Sequence, residues 1–490
     1  MGILAELKPE PIWIFFEEIC KIPRLSKNEG KIRSYLLKFA SDHNLESKED
    51  SAGNILIIRP PSPGFENKKT VVLQSHMDMV GEKDSDNPHD WERDAIIPFI
   101  EGEWVKATGT TLGADDGIGL ASQLAILTDP NLKAGKIECL FTTDEESGMT
   151  GAYNIKPDFI EGRTLINLDS EDEGILFIGC AGGIDTVGEM KYGSSPVPAG
   201  MTGYKISITG LRGGHSGDEI HKGFGNSVKL MNRILRNLTE QFEIGLSRFD
   251  GGNLRNAIPR EAFAEITVNK LTKESLEKFV KELQPVFHDE FGDLEKNLKI
   301  RIKEIRTPES VMDTRSRNKL IKLLSCCPHG VISWSKDMDD LVETSTNLAS
   351  VNFTGNQTVR IVTTQRSSVE SSKYDAAGMV EGCMKLANAK VEHSSGYPGW
   401  KPNLKSEILG ITRKSYKNLF GKDPLVRAIH AGLECGLFYE KFKGIDMISF
   451  GPSIRGAHTP EEKIEIKTVG MFWELLIDVI KHIPDRNARE

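Results

Sequence analysis

The sequence predicts an α/β fold with a largely buried sheet, into which a second, α+β domain is inserted. Three observations carry this. Short continuous β-rich runs at 54–58 (NILII), 70–78 (TVVLQSHMD), 137–143 (IECLFTT) and 164–169 (TLINLD) surround a helix-like segment at 117–129; unbroken apolar runs of that length suit strands covered on both faces. From about 203 the texture becomes alternating strands at 204–211, 262–270 and 297–305, interleaved with amphipathic helices at 226–238 and 277–287, as in a sheet with one covered face. The Gly- and Pro-rich stretch SSGYPGWKPN at 394–403 reads as a linker, after which 446–450 and 468–483 return to the first texture as a strand and a closing helix. The expected limits are 1–190 and 397–490 for the first domain and 191–396 for the insert.

Composition narrows the function classes. A length of 490 residues allows two or three domains and a large core, and a formal charge of −9 with a pI near 5.8 gives no broad pull towards nucleic acid or anionic lipid. The seven cysteines show no CxxC spacing in a chain too long to need a disulfide framework, which favours a reducing compartment. The amino terminus lacks the pattern of a signal peptide, and no stretch approaches the ~20 apolar residues of a membrane span. The expectation is a cytoplasmic protein bound to neither membrane nor nucleic acid.

Chemistry concentrates in five short pieces: SHMDM at 75–79, GADDGIG at 113–119, DEES at 144–147, NLDS at 167–170 and GAHTP at 456–460. His76 and Asp78 lie two apart on a strand and project from one face, where one can bind a metal while the other steadies its ring, or the two can form a structural pair. Asp115 and Asp116 sit in a Gly-rich turn that opens a helix. No GK[ST] follows, and two carboxylates would repel phosphate, so metal is the better reading, with a helix N-cap as the alternative. Asp144, Glu145, Glu146 and Asp169 end two more strands, and His458 lies in a loop after the strand at 446–450. Singly, each carboxylate could be a solvated surface group. Together, two histidines and several carboxylates at strand ends make a mixed nitrogen and oxygen set suited to Zn²⁺, Co²⁺ or Mn²⁺, numerous enough to neutralise two divalent ions. Three adjacent carboxylates at 144–146 need a counter-charge, and metal supplies it.

Elsewhere, His215 lies in the Gly-rich turn GGHSGDEIH, where it is either exposed for function or a plain turn histidine. Asn253 in GGNLRNAIP and Arg366 in TTQRSSV are candidates for gripping a substrate carbonyl or carboxylate. By residue type alone, Arg366 belongs at the surface. His430 and Glu434 in HAGLECG share an i, i+4 spacing and read as a structural pair on one helical face.

The ordered set SHMDMV, LGADDGIG, TTDEESGMTGA, NLDSEDEG, GGHSGDEIHKGFGN, GGNLRNAIPRE and GAHTPEE resembles the zinc exopeptidase family that includes carnosinases, aminoacylases and glutamate carboxypeptidases, and within it the bacterial aminoacyl-histidine dipeptidases. The resemblance spans about residues 20–462. It implies a catalytic domain with a mixed, mostly parallel sheet and an inserted lid or dimerisation domain. His76 and Asp169 would be ligands of one ion, Glu146 and His458 of the second, and Asp115 would bridge both, followed by a cis peptide to a non-ligating Asp116. Asp78 would orient His76, Glu145 would be the general base acting on a water shared by the ions, and His215 would hydrogen-bond the oxyanion. The implied activity is hydrolysis of dipeptides, including β-alanyl-histidine, by a homodimer. An N-acyl-amino-acid deacylase or a tripeptidase on the same scaffold is the main rival, and a catalytically silent metal-binding scaffold is the second.

Overall fold

The computed structural model describes residues 2–486. The chain forms two compact units, one of Met1–Gly179, Trp400–Ala428 and Leu433–Glu490, the other of Cys180–Gly399 and Ile429–Gly432. The expected insert, 191–396, falls within the second unit, which also recruits the short Ile429–Gly432 segment.

In the first unit the described residues build an eight-stranded mixed sheet in the order Glu46–Glu49, Ile55–Arg59, Ile137–Thr142, Val71–His76, Thr164–Asn167, Asp446–Ser449, Ile175–Cys180, Leu425–Ile429. Ile137–Thr142, Val71–His76, Thr164–Asn167 and Asp446–Ser449 run parallel to one another. Ile137–Thr142 and Val71–His76 are buried at every residue, which explains their unbroken apolar runs. The helix Ala114–Thr128 is buried on nearly all sides, so its sequence carries no polar face. A smaller four-stranded sheet joins Ile454–Arg455, Lys463–Glu465, Trp104–Ala107 and Pro98–Glu101.

The second unit carries a nine-stranded antiparallel sheet whose longest strand, Val342–Thr354, pairs with Thr358–Ser367. Its apolar face packs on Ser227–Gln241, Lys273–Phe291, Thr314–Cys326 and Glu370–Leu386, as in the cluster that joins Ile206, Ile266 and Leu246 to Ile234, Phe287, Leu320 and Val380. Ser227–Gln241 begins where the Asn226 side chain accepts the N–H groups of Val228 and Lys229 at 3.0 and 3.1 Å, an N-cap that satisfies two otherwise unpaired donors. Among the described residues, no helix is long and apolar enough to cross a membrane.

Candidate active site

Parallel strands end on one side of a sheet, and that side gathers the candidate site residues of the first unit. His76 closes Val71–His76, Glu145 and Glu146 follow Ile137–Thr142, and Asp169 follows Thr164–Asn167. His458 arrives from the hairpin between Ile454–Arg455 and Lys463–Glu465.

Among the described residues four three-residue groups of possible ligands result: His76, Glu145 and Glu146 form one, Glu29, Asp78 and Asp144 another, and the remaining two share one carboxylate. His76, Asp115 and Asp169 form the first of these two, and Asp115, Glu146 and His458 the second, with ligand atoms within 4.8 Å of one another in each. Asp115 Oδ1 lies 3.0 Å from His76 Nε2, while its Oδ2 lies 3.3 Å from His458 Nε2. Asp169 Oδ1 is 3.3 Å from His76 Nε2, and Glu146 Oε2 is 3.0 Å from His458 Nε2. Each imidazole thus turns its Nε2 into carboxylate oxygens. Among the described residues no Lys or Arg forms an ion pair with Asp115, Asp169 or Glu146; their cationic partners are the two histidines alone.

The surrounding chain fixes these groups. Asp78, wholly buried, places Oδ1 3.5 Å from His76 Nδ1 and accepts the N–H groups of Glu145 at 3.0 Å and Glu146 at 3.2 Å, with Ser26 donating to its Oδ2. Asp144 turns away from the clusters. It sits at φ 54°, accepts from the hydroxyls of Ser147 and Thr150, and its N–H donates to Glu29. The three adjacent carboxylates therefore do different work: one folds the turn and two face the site. The Asp115–Asp116 peptide is cis, and Asp116 Oδ1 accepts the Gly119 N–H at 3.1 Å as a helix-start cap. Gly113 precedes them at φ 68°, where an added Cβ would stand 2.7 Å from Arg24 Nη2, so the position needs glycine on both counts.

Two supporting residues escape notice in the sequence. Arg24 is buried and donates to the carbonyls of Met77, Asp78 and Gly113, joining the loops that carry Asp78 and Asp115. Glu462, only 2% exposed, accepts the N–H groups of Leu112, Gly113, Ala114 and Asp115. Neither looks unusual as a residue type, although Glu462 stands inside GAHTPEE, four residues after His458.

Electrostatics agree with a cation-binding centre. Hydrogen bonds to Asp115 and Glu146 push the His458 imidazole up to about 11. Burial opposes charge on His76, yet Asp169 and hydrogen bonds to Asp115, Asp169 and Asp78 raise its pKa well above the usual value. Burial pushes Asp169 up to about 7 and Glu145 well above the usual carboxylate range. Burial also acts on Asp78, but the His76 contact and the Glu145 N–H hold it down at about 2. Protons on the two rings thus occupy the place of positive charge, which is where divalent cations fit this donor set of imidazole nitrogens and carboxylates.

In the second unit, His215 ends the short strand Gly214–His215, a third of its side chain is exposed, and its Nδ1 accepts the Asp218 N–H at 3.2 Å. Asn253 lines a cavity of about 580 Å³ with Asp250, Leu254, Pro259, Arg260 and Asn352. Arg366 departs from the surface position expected of its type. It is 6% exposed in the strand Thr358–Ser367, and its Nη1 donates to Tyr397 Oη at 2.7 Å. The expected His430 and Glu434 pair does not share a helical face, because the helix begins only at Glu434. Glu434 accepts from Gln74 and Thr142, each at 2.7 Å, whereas His430 Nε2 lies 2.7 Å from Ser345 Oγ.

Comparison with known proteins defines the class. The model of peptidase family M20/M25/M40 matches residues 72–482, and the chain belongs to that family of metallopeptidases. It is 43% identical over 484 residues to the cytosol non-specific dipeptidase of Escherichia coli strain K12, covering 99% of this chain and 100% of that one. Its structure matches that of the aminoacylhistidine dipeptidase from Vibrio alginolyticus with a TM-score of 0.93 and 41% identity over 99% of each chain. Aminopeptidase PepT from Bacillus cereus, at TM-score 0.57 and 17% identity over 97% of this chain and 99% of that one, shares the fold.

Proposed function

We propose that this protein hydrolyses the peptide bond of dipeptides, Xaa-His dipeptides such as β-alanyl-histidine among them, at a centre holding two divalent ions. The observation that carries the reading is the divided carboxylate of Asp115, with one oxygen towards His76 and the other towards His458. His76, Asp115 and Asp169 would hold one ion, and Asp115, Glu146 and His458 the other. Zn²⁺ suits this donor set best, and Co²⁺ or Mn²⁺ also fit it. When bound, such ions act as Lewis acids on a scissile carbonyl and acidify a water.

The remaining work falls to side chains. Glu145, whose proton affinity burial raises, takes a proton from the attacking water and returns it to the leaving amine, which is otherwise a poor leaving group. Asp78 keeps the His76 ring in orientation through Nδ1. His215 donates to the oxygen that gains charge in the transition state, a contact worth more there than in the ground state. Asn253 and Arg366 grip the polar ends of the substrate, Arg366 with an Nε that has no hydrogen-bond partner among the described residues. We place the enzyme in the cytoplasm as a homodimer; the name of the Escherichia coli relative and the family resemblance support this, and sedimentation velocity tests the dimer.

The experiment is hydrolysis of a panel comprising β-alanyl-histidine, glycyl-histidine, apolar dipeptides, a tripeptide and an N-acetyl amino acid, with chelator and with metal restored. Metal-dependent cleavage of the dipeptides is the expected result. Preference for the N-acetyl compound or the tripeptide would instead assign a deacylase or a tripeptidase, and no turnover would assign a silent scaffold.

A further inference from the structure

Glu462 makes an uncommon set of contacts for a carboxylate outside the ligand clusters. Its Oε2 accepts the N–H groups of Leu112 and Gly113 at 2.8 and 2.9 Å, and its Oε1 accepts those of Ala114 and Asp115 at 2.8 and 3.2 Å. Four consecutive donors thus converge on one buried group contributed from about 350 residues away in the chain. They belong to the loop that delivers Asp115, the residue common to both clusters.

The other end of Glu462 is tied to His458. Only three residues separate them, and the Glu462 N–H donates to the Thr459 carbonyl at 3.0 Å, while Thr459 Oγ1 donates to the Gly456 carbonyl at 2.7 Å. His458 itself has φ 63°, and half of its side chain is exposed, so packing alone does little to hold it. His76 differs. Its ring is 1% exposed and is already steadied by Asp78 and Asp169.

We infer that Glu462 is a positioning residue that locks the His458 hairpin against the Asp115 loop, so that the second ion site depends on it. The inference rests on the two-ion reading above. It predicts an asymmetric defect. The His76 cluster has its own supports and the Asp115 loop keeps Arg24 on its Gly113 carbonyl, whereas the His458 cluster loses the register of its histidine when Glu462 fails.

Glu462→Gln is the informative change, because it keeps the shape yet turns one oxygen into an amide that faces two N–H donors and can accept from neither. Full-length protein stripped with chelator and titrated with Zn²⁺ by calorimetry reads both sites. The wild type is expected to take two ions. E462Q is expected to bind one with unchanged affinity and the other at least about tenfold more weakly, the usual scale for losing a support behind a ligand. Its dipeptidase rate should return with excess metal. In E462Q combined with His458→Ala, the remaining site should bind as it does in His458→Ala alone. Two ions bound to E462Q as in the wild type would overturn the inference, as would equal weakening of both sites without rescue by metal. Fewer than two ions in the wild type would overturn the two-ion reading itself. If circular dichroism shows that E462Q does not fold, Glu462→Asp, which keeps the charge but shortens the reach, carries the same titration and the same outcomes.

Discussion

The carboxylate of Asp78 accepts the backbone N–H of Glu145 at 3.0 Å while its other contacts reach His76 and Glu146. One buried group thereby lies against an imidazole, whose Nδ1 also meets the Asp78 carbonyl oxygen at 3.2 Å, and holds the turn that carries Glu145, the proposed base. Removing it should therefore disturb ligation and catalysis together. Asp78→Ala is expected to weaken metal binding at the His76 cluster by about 10- to 100-fold and to lower kcat even at saturating metal. Metal titration and steady-state kinetics on the same preparation check both parts, and an unchanged affinity would remove Asp78 from the support of His76.

Glu145 is assigned a different task. It belongs to neither of the two clusters that share Asp115, although it also groups with His76 and Glu146. Glu145→Gln should keep its metal and lose more than about two orders of magnitude in kcat, the scale of a general base. Near-normal turnover would contradict the assignment.

A third of the His215 side chain is exposed, and the role proposed for it begins only when charge develops on the carbonyl oxygen. His215→Ala should lower kcat by about 10²-fold or more with metal content unchanged. A rise in KM alone would mean that it binds ground state and transition state equally.

His430 offers a pH test away from the clusters. Burial, with Arg366 nearby, pushes its imidazole down to about 3. The unfolded chain takes up this proton as pH falls through about 6.5, whereas the folded chain resists until about 3, so the stabilisation is complete above 6.5 and is lost on acidification across that window. Between pH 7.5 and 5 the loss amounts to about 2 kcal/mol at roughly 1.4 kcal/mol per pH unit below 6.5. Urea unfolding at the two pH values should show a smaller drop in His430→Asn than in the wild type, and equal drops would contradict the account.

Local pattern made the strand ends legible. Val71–His76 and Ile137–Thr142 are continuous apolar runs because parallel strands are covered on both faces, and the charged residues that stop those runs are the ones brought together. Asp115 and His458 also stood out, being in glycine-bearing turns. What stayed hidden depends on distant chain segments meeting. Glu462 looks like any loop glutamate until the Leu112–Asp115 amides close on it, and Arg24 gains meaning only from the three carbonyls it joins. Arg366 was misplaced for the same reason: residue type points to solvent, while its position in a central strand of the second sheet buries it. The His430 and Glu434 spacing suggested a helix that starts four residues too late to contain both.

The central claim is that Asp115 is shared by two ions on which hydrolysis depends. Its most direct test is the metal-to-protein ratio of chelator-stripped enzyme during stepwise return of Zn²⁺, measured by mass spectrometry alongside β-alanyl-histidine hydrolysis, for the wild type and Asp115→Asn. The account predicts about two ions per chain and activity that rises with their uptake, with both lost in the variant. Activity that survives complete metal removal, or a variant that still takes two ions and turns over normally, would contradict it.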